Sequence, residues 1–240
     1  MRRGSALPGM ISAKPLALAL TVLACLLGGC RGSSGPLAGR SPSTESTSSP
    51  SEPSADPRPV VLFVGTSLTA GYGVDPDEAF PALVQEKIDA AGLRYRVVNA
   101  GVSGETSAGA LRRIDWLLRQ EVAVFVLETG ANDGLRGQDP ETTRANVQAI
   151  LDEVHRRQPS AKLVLVAMEA LPNYGEEYRR RFRAVYPGLA RKNAATLVPF
   201  LLAGVAGDRR LNQADGIHPN PAGHQRVAET VWKALLPLLY

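Results

Sequence analysis

The chain has 240 residues, with 27 lysines and arginines against 23 aspartates and glutamates, so its formal net charge is +4. Residues 1–29 carry +3 of that charge, whereas residues 59–240 carry only +1. A nearly neutral folded region argues against a protein that binds nucleic acid through a basic face. The two cysteines, Cys25 and Cys30, both precede the folded region, which excludes a disulfide framework and a cysteine-rich zinc site there.

The first 29 residues have the layout of a secretory signal peptide, with Arg2 and Arg3 ahead of an apolar run over residues 15–29. The run is shorter than the roughly 20 residues that a membrane-spanning helix needs, although an uncleaved anchor helix is the alternative. Its end, residues 27–30 (Leu-Gly-Gly-Cys), resembles the lipobox of bacterial lipoproteins. The resemblance implies cleavage before Cys30, acylation of that cysteine and attachment to a membrane. We therefore expect a cell-envelope location, with the outer membrane or the periplasmic side favoured.

Residues 30–58 are predicted to form a disordered Ser/Pro-rich tether. Of the 28 residues from 31 to 58, 19 are Ser, Thr, Pro or Gly. Such a composition buries too little apolar surface to offset the entropy lost on ordering. Residues 59–240 are then predicted to form one domain.

That domain alternates strand-like and helix-like segments. The strands are predicted at Val60–Val64, Arg96–Asn99, Val122–Leu127, Leu163–Ala167 and Thr196–Phe200. Runs that are apolar on both faces and separated by helices indicate a parallel sheet covered on both sides. We therefore predict an α/β fold, a three-layer α/β/α sandwich with a five-stranded parallel sheet of the flavodoxin-like kind. In such sheets the functional loops follow the carboxyl ends of the strands.

The intervening helices are marked by apolar residues at helical spacing. They are predicted at Glu78–Ala91, Thr106–Arg119, Pro140–Arg157 and Pro221–Leu238. Asp77 is the candidate cap of the first of them.

The loop after the first strand, residues 65–73, is a small-residue turn that can hold the Ser67 hydroxyl exposed at the edge of the sheet. A turn serine or a helix cap is the alternative for this segment alone. No Gly-x-Ser-x-Gly elbow is present here, since Thr69 stands two residues after the serine. No phosphate-binding glycine fingerprint is present either.

The loops after the second and third strands carry candidate donors to developing negative charge. Gly104 offers a backbone N–H just before a predicted helix, and Asn132 offers its side-chain amide. An ordinary Asn/Gly turn is the alternative for the second of these.

The loop before the last helix contains Asp215-Gly-Ile-His218, in which the acid can reach a ring nitrogen of the histidine across a tight turn. The other two histidines are not predicted to be catalytic. His155 is expected to be a solvated surface residue, and His224 is expected on the first turns of the last helix.

Together these blocks resemble the SGNH-hydrolase (GDSL-type) esterase family. They are Gly65-Thr-Ser-Leu68, Gly104, Gly130-Ala-Asn-Asp133 and Asp215-Gly-Ile-His218. Within that family the chain is most similar to the bacterial multifunctional thioesterase/lysophospholipase/arylesterase subgroup, and the likeness runs from about Val60 to the C-terminus.

The resemblance implies a serine esterase that cleaves aryl esters and lysophospholipids through an acyl-enzyme, and it extends the expected substrates to acyl thioesters. It assigns Ser67 as nucleophile, His218 as general base and Asp215 as the acid that orients the imidazole. It assigns the oxyanion hole to the backbone N–H groups of Ser67 and Gly104 and to the Asn132 amide. No metal and no organic cofactor is implied.

One position departs from the family pattern, because Thr66 stands where an aspartate usually precedes the serine. A threonine hydroxyl can still hydrogen-bond a backbone amide. We therefore expect an altered turn around an active nucleophile.

Two further segments bear on the substrate. In the resembling subgroup the positions of Leu171, Pro172 and Tyr174 border the acyl channel, although packing within the domain is the commoner explanation for such residues. The arginine-rich run at 179–183 either meets lipid phosphates or forms a solvated helix face paired with acids at 176 and 177, and the second is favoured.

The expected partners are a small acyl ester substrate and a membrane, reached through lipidated Cys30. The chain is expected to be a monomer that binds no nucleic acid. The rival functions are a carbohydrate O-acetylesterase and a lipid- or glycan-binding lipoprotein with vestigial catalytic residues. A nucleotide-binding flavodoxin-like module is disfavoured, because no phosphate or flavin loop is present.

Overall fold

The computed structural model describes residues 56–240, and the predicted leader and most of the predicted tether, including Cys30, lie outside them. Five strands form one sheet in the order β2-β1-β3-β4-β5, and every neighbouring pair is parallel. The strands are β1 Val60–Gly65, β2 Arg96–Gly101, β3 Val124–Glu128, β4 Lys162–Val166 and β5 Thr196–Val198. This order is the flavodoxin-like one, so the predicted sheet is confirmed.

The central strands are apolar along their whole length because both of their faces are covered. Every residue of β1 and of β3 is buried, and Leu62 of β1 stands opposite Val98 of β2 and Phe125 of β3. The edge strand β2 is only half-buried. The sheet order reverses its direction of growth at β1 and β3, so the cleft between their carboxyl ends is the expected site.

Seven helices lie along the described part of the chain. They are α1 Ser67–Ala70, α2 Phe80–Ala90, α3 Ser107–Leu117, α4 Ala131–Leu135, α5 Pro140–Arg157, α6 Gly175–Lys192 and α7 Pro221–Leu235. Short 3-10 turns cover Pro172–Tyr174 and Leu236–Leu238. Helix α2 packs on α7, while α5 packs between α3 and α6, and these two groups with the sheet make the three layers.

Local chemistry explains several helix starts. Proline lies in the first turn of α2, α5 and α7, where a missing N–H removes no helical hydrogen bond. The side chains of Asp139 and Asn220 cap α5 and α7. The prediction that Asp77 caps α2 was wrong, because the helix begins at Phe80 and its cap position is Ala79, followed by Pro81.

The strand ends also differ from their predicted bounds. Strand β3 begins at Val124, and Val122 lies outside it, with its N–H donating to the side chain of Gln158. Strand β5 ends at Val198, directly before Pro199, which has no N–H to continue the ladder.

Helix α6 is the largest addition to the predicted elements. The expected solvated face is present, since Arg179, Arg180 and Arg183 pair with Glu176 or Glu177. The helix continues far beyond this run, through an internal proline at Pro187, and buries its opposite face against the sheet. Between residues 56 and 240, no helix is both long and apolar enough to span a membrane.

Candidate active site

The first component of the site is the turn between β1 and α1. Thr66 occupies the cap position with extended backbone, and its hydroxyl oxygen accepts a hydrogen bond from the Leu68 N–H at 3.4 Å. Ser67 is therefore the first residue of a four-residue helix, and only 9% of its surface is exposed. Ser67 lines a cavity beside the sheet. The predicted altered turn at Thr66 thus takes the form of a threonine cap.

The loop before α7 brings two more predicted residues to this serine. His218 Nε2 lies 2.9 Å from Ser67 Oγ, and His218 Nδ1 lies 2.6 Å from Asp215 Oδ2. The three side chains form one continuous hydrogen-bonded chain, although Ser67 and His218 are 151 residues apart in the sequence. Such a chain can remove a proton from the serine hydroxyl when the oxygen attacks an electrophile.

The carboxylate of this chain is held ionised. The hydrogen bond with the His218 ring lowers the pKa of Asp215 to about 2, helped by the backbone N–H groups of His218 and Ile217. Both N–H groups donate to Asp215 Oδ1 at 3.0 Å. An acceptor fixed at Nδ1 leaves the lone pair of Nε2 directed at Ser67, which is the tautomer that a general base requires.

Two residues hold the loop of His218 against the turn that contains Ser67. The Tyr72 ring lies 4.7 Å from the His218 ring, centroid to centroid, at an angle of 43°. The Gln213 amide donates to the backbone oxygens of Tyr72, at 2.7 Å, and Pro219, at 2.9 Å. Neither residue was predicted, since both depend on a contact between segments about 140 residues apart.

The predicted oxyanion donors line the same cavity as Ser67. Gly104 has a φ of +78°, a left-handed conformation that favours glycine, and it lies three residues before α3. Asn132 stands in the first turn of α4 and not in an open turn, and its Nδ2 donates one hydrogen bond to the Glu105 oxygen at 2.9 Å. That bond fixes the amide plane and leaves the second amide hydrogen for a ligand.

A buried aspartate, which sequence reasoning missed, joins these two donor segments. Asp133 accepts hydrogen bonds from the backbone N–H of Ser107 at 2.9 Å and from its hydroxyl at 2.5 Å. A third hydrogen bond comes from the Thr143 hydroxyl at 3.3 Å. The carboxylate thereby fixes the start of α4, with Asn132, to the start of α3.

A second buried carboxyl lies beneath the nucleophile turn. Glu128 ends β3 and is 1% exposed, and its oxygens accept hydrogen bonds from Thr66 and Thr69. Burial raises the pKa of Glu128 to about 7, although those hydrogen bonds act in the opposite direction. In the sequence, the only sign of Glu128 is that an acidic residue ends the apolar run Val-Phe-Val-Leu.

The cavity beside Ser67 has a volume of about 610 Å³ and is mostly apolar. Its apolar and aromatic lining consists of Leu68, Tyr72, Ala131, Leu135, Met168, Ala170, Leu171, Pro172, Phe200, Leu202, Ala206 and Ile217. Glu169 and Arg179 are the charged side chains in its wall. A cavity of this size and lining can accept an acyl chain or an aromatic ring.

The three predicted substrate residues separate in the structure. Leu171 and Pro172 line the cavity, whereas Tyr174 lies outside that lining. The Tyr174 hydroxyl donates to the Leu135 oxygen at 2.8 Å, and its ring packs on Tyr178. Tyr174 therefore fixes a residue of the cavity wall from behind.

The remaining histidines lie apart from this site. His155 is exposed on α5, as expected. His224 lies in the first turn of α7, as expected, but is buried, and its Nδ1 accepts from the Phe80 N–H at 3.2 Å. Across residues 56–240, no group of three or more His, Cys, Asp or Glu side chains is arranged to hold a metal ion.

Residues 63–226 match the sequence model of the GDSL-like lipase/acylhydrolase family. An esterase TesA from Pseudomonas aeruginosa is 43% identical over 180 residues, which cover 75% of this chain and 89% of the relative. A thioesterase 1/protease 1/lysophospholipase L1 from Escherichia coli is 38% identical over 180 residues, covering 75% and 84%.

A solved structure shares the architecture as well. The psychrotrophic esterase EstA from a Pseudoalteromonas species, inhibited by monoethylphosphonate, superposes with a TM-score of 0.71 at 32% identity. The match covers 75% of this chain and 98% of the esterase.

Proposed function

The chain belongs to the GDSL-like lipase/acylhydrolase family, the SGNH hydrolases, and from that membership we propose that Ser67, His218 and Asp215 form the catalytic triad of a carboxylic ester hydrolase. The observation that carries the proposal is the unbroken hydrogen-bonded chain from Ser67 Oγ to the Asp215 carboxylate. Its outer end opens into an apolar cavity that can hold an acyl group.

In the first half-reaction Ser67 Oγ attacks the carbonyl carbon of the ester while His218 Nε2 takes the hydroxyl proton. Asp215 holds the imidazole tautomer and stabilises the imidazolium that forms. When the tetrahedral intermediate collapses, the bond to the leaving group breaks and His218 returns its proton to the departing oxygen or sulfur. The acyl group then remains on Ser67 as an ester.

In the second half-reaction a water molecule repeats these steps. His218 takes a proton from the water as it attacks the acyl-enzyme, and the proton then passes to Ser67 Oγ as the carboxylic acid leaves. In both halves the developing oxyanion is held by the backbone N–H groups of Ser67 and Gly104 and by the amide of Asn132.

The substrates that we propose are aryl esters, lysophospholipids and acyl thioesters. The apolar cavity supports acyl groups longer than acetyl, and the relatives named above as esterase and as thioesterase and lysophospholipase support the substrate class. A panel of p-nitrophenyl esters from acetate to dodecanoate tests the chain length. Preference for acetate throughout would favour a carbohydrate O-acetylesterase.

The location that we propose is the cell envelope, with the chain attached through acylated Cys30, as the lipobox resemblance implies. A Cys30→Ala variant should lose its association with membranes after alkaline washing, and persistent association would contradict the lipid anchor. We also propose that the protein is a monomer, which light scattering of the purified protein tests.

The central test is replacement of the nucleophile. Ser67→Ala should abolish p-nitrophenyl ester hydrolysis and labelling by a fluorophosphonate probe, while thermal unfolding stays near that of the wild type. Ser103→Ala is the matched control, because Ser103 lines the same cavity without contacting the triad. Wild-type turnover by purified Ser67→Ala protein would refute the triad. Failure of the wild type to react with the probe would instead favour a vestigial, ligand-binding protein.

A further inference from the structure

One buried carboxyl near the nucleophile takes no part in the steps above. Glu128 is 1% exposed, and no lysine, arginine or histidine of residues 56–240 forms an ion pair with it. Its partners are instead donors of the nucleophile turn. Glu128 Oε2 accepts from the Thr66 N–H at 2.8 Å, the Thr66 hydroxyl at 2.9 Å and the Thr69 hydroxyl at 2.9 Å.

These partners stand on both sides of Ser67. Thr66 precedes it and caps α1, so the Thr66 hydroxyl donates to Glu128 while its oxygen accepts from the helix. Thr69 follows it within the same helix. A Cβ atom at Gly65 would lie 2.7 Å from Glu128 Oε2, so this glycine allows the turn to approach the carboxyl closely.

The opposite side of α1 is held from β2. Asn99 Nδ2 donates to the Thr69 oxygen at 2.8 Å, and the Val102 N–H donates to the Gly65 oxygen at 2.8 Å. A helix of four residues has no stability of its own. The position of Ser67 therefore depends on the groups that bracket α1 from β2 and β3.

We propose that Glu128 is a positioning residue for the nucleophile, holding α1 so that Ser67 Oγ stays within reach of His218 Nε2. The proposal rests on the proposed function of Ser67 as nucleophile. A carboxyl group suits the task because its oxygens are acceptors with several lone pairs, and three donor groups converge on Oε2 here. The threonine at position 66 suits it because its hydroxyl donates to the carboxylate and accepts from the helix.

The first test replaces the carboxyl by an amide of the same shape. Glu128→Gln should lower kcat and the rate of fluorophosphonate labelling by about 10-fold, because an amide N–H₂ replaces one of two acceptors. These are Oε2, on which three donors converge, and Oε1, which accepts from the Thr66 hydroxyl at 3.0 Å. KM should change by less than about 2-fold, because Glu128 does not line the cavity. Glu128→Leu should cost about 100-fold in kcat, since all the hydrogen bonds are lost.

Val126→Ala provides the matched control for lost stability. Val126 is fully buried two residues earlier on the same face of β3, and it makes no contact with the turn through hydrogen bonds. This variant should lower Tm while kcat and labelling rate stay within about 2-fold of the wild type.

A second pair of variants keeps the carboxyl and changes its partner. Thr66→Ser retains the hydroxyl and should retain kcat, whereas Thr66→Val removes it at nearly constant volume and should lower kcat by about 10-fold. This pair decides the question if Glu128→Gln fails to fold. If Thr66→Val and Glu128→Gln both keep wild-type kcat and labelling, the positioning role is overturned while Ser67 remains the nucleophile. If Ser67→Ala keeps its activity, the proposed function itself has failed.

Discussion

The two halves of the candidate site are built in different ways. Ser67 belongs to a turn enclosed by the sheet, with hydrogen bonds from β2 on one side and to Glu128 of β3 on the other. Asp215 lies on an exposed loop, with 39% of its side chain accessible, and its hydrogen bonds reach only the next three residues. Ser67 is thus positioned by the core, whereas Asp215 is positioned locally.

This difference separates effects on chemistry from effects on stability. A change in the turn of Ser67 disturbs groups that also hold the strands together. A change in the Asp215 loop disturbs the proton path and little else.

Among changes that leave Ser67 in place, the largest expected effect is at Asp215, in the exposed half. Asp215→Asn should lower kcat by about 10,000-fold, because the amide favours the wrong imidazole tautomer. Tm should fall only slightly, because the Asp215 side chain is 39% accessible and its hydrogen bonds stay within the loop. The measurement is p-nitrophenyl ester turnover together with Tm for the same preparation. A large fall in Tm would show that the loop is part of the core and would contradict the local positioning of Asp215.

A smaller effect is expected at Asn132, which lines the cavity beside Ser67. Asn132→Ala should lower kcat by about 100–1000-fold with little change in KM, because the amide acts on the transition state. It should also cost about 1 kcal/mol of unfolding free energy through the lost hydrogen bond to the Glu105 oxygen.

Asn193→Ala is the control for that stability cost, since Asn193 is a buried amide at the end of α6, away from the cavity. It should lower the unfolding free energy without lowering kcat. A pure rise in KM for Asn132→Ala would contradict the oxyanion role.

The smallest effect on activity is expected from His224, the buried histidine that follows the Asp215 loop. This residue should instead change the pH dependence of stability. Burial lowers the pKa of His224 to about 4, and its Nε2 has no hydrogen-bond partner within the described residues. The unfolded chain therefore binds a proton that the folded chain does not, and stability is lost as pH falls from about 6.5 to about 4. The loss should reach at most about 3 kcal/mol.

The carboxyl of Glu128 changes stability with pH in the opposite direction to His224. Its pKa is raised to about 7, so its contribution to stability is lost as pH rises from about 4.5 to about 7. The histidine effect is isolated by subtracting the unfolding free energy of His224→Gln from that of the wild type at each pH. A difference that does not change between pH 4 and 6.5 would contradict it.

The sequence predicts the sheet because its strands are local apolar runs, and it places the site blocks because each follows a strand. Helix α6 was underestimated, since Pro187 lies within it and a proline ordinarily interrupts a helix. Glu128 and Gln213 could not be found, because their roles arise from contacts between segments far apart in the chain. The packing of Tyr174 also depends on a distant segment, because its hydroxyl donates to a carbonyl 39 residues away.

The packing of α7 on α2 has a consequence for folding. The nucleophile turn and both oxyanion segments precede residue 136, whereas the histidine arrives with the last quarter of the chain. His224 joins α7 to the start of α2 across 144 residues. During synthesis the segments of Ser67, Gly104 and Asn132 emerge first, while Ser67 still lacks the imidazole of His218. Hydrolysis should therefore begin only after His218 reaches Ser67, so its onset marks a late step of folding.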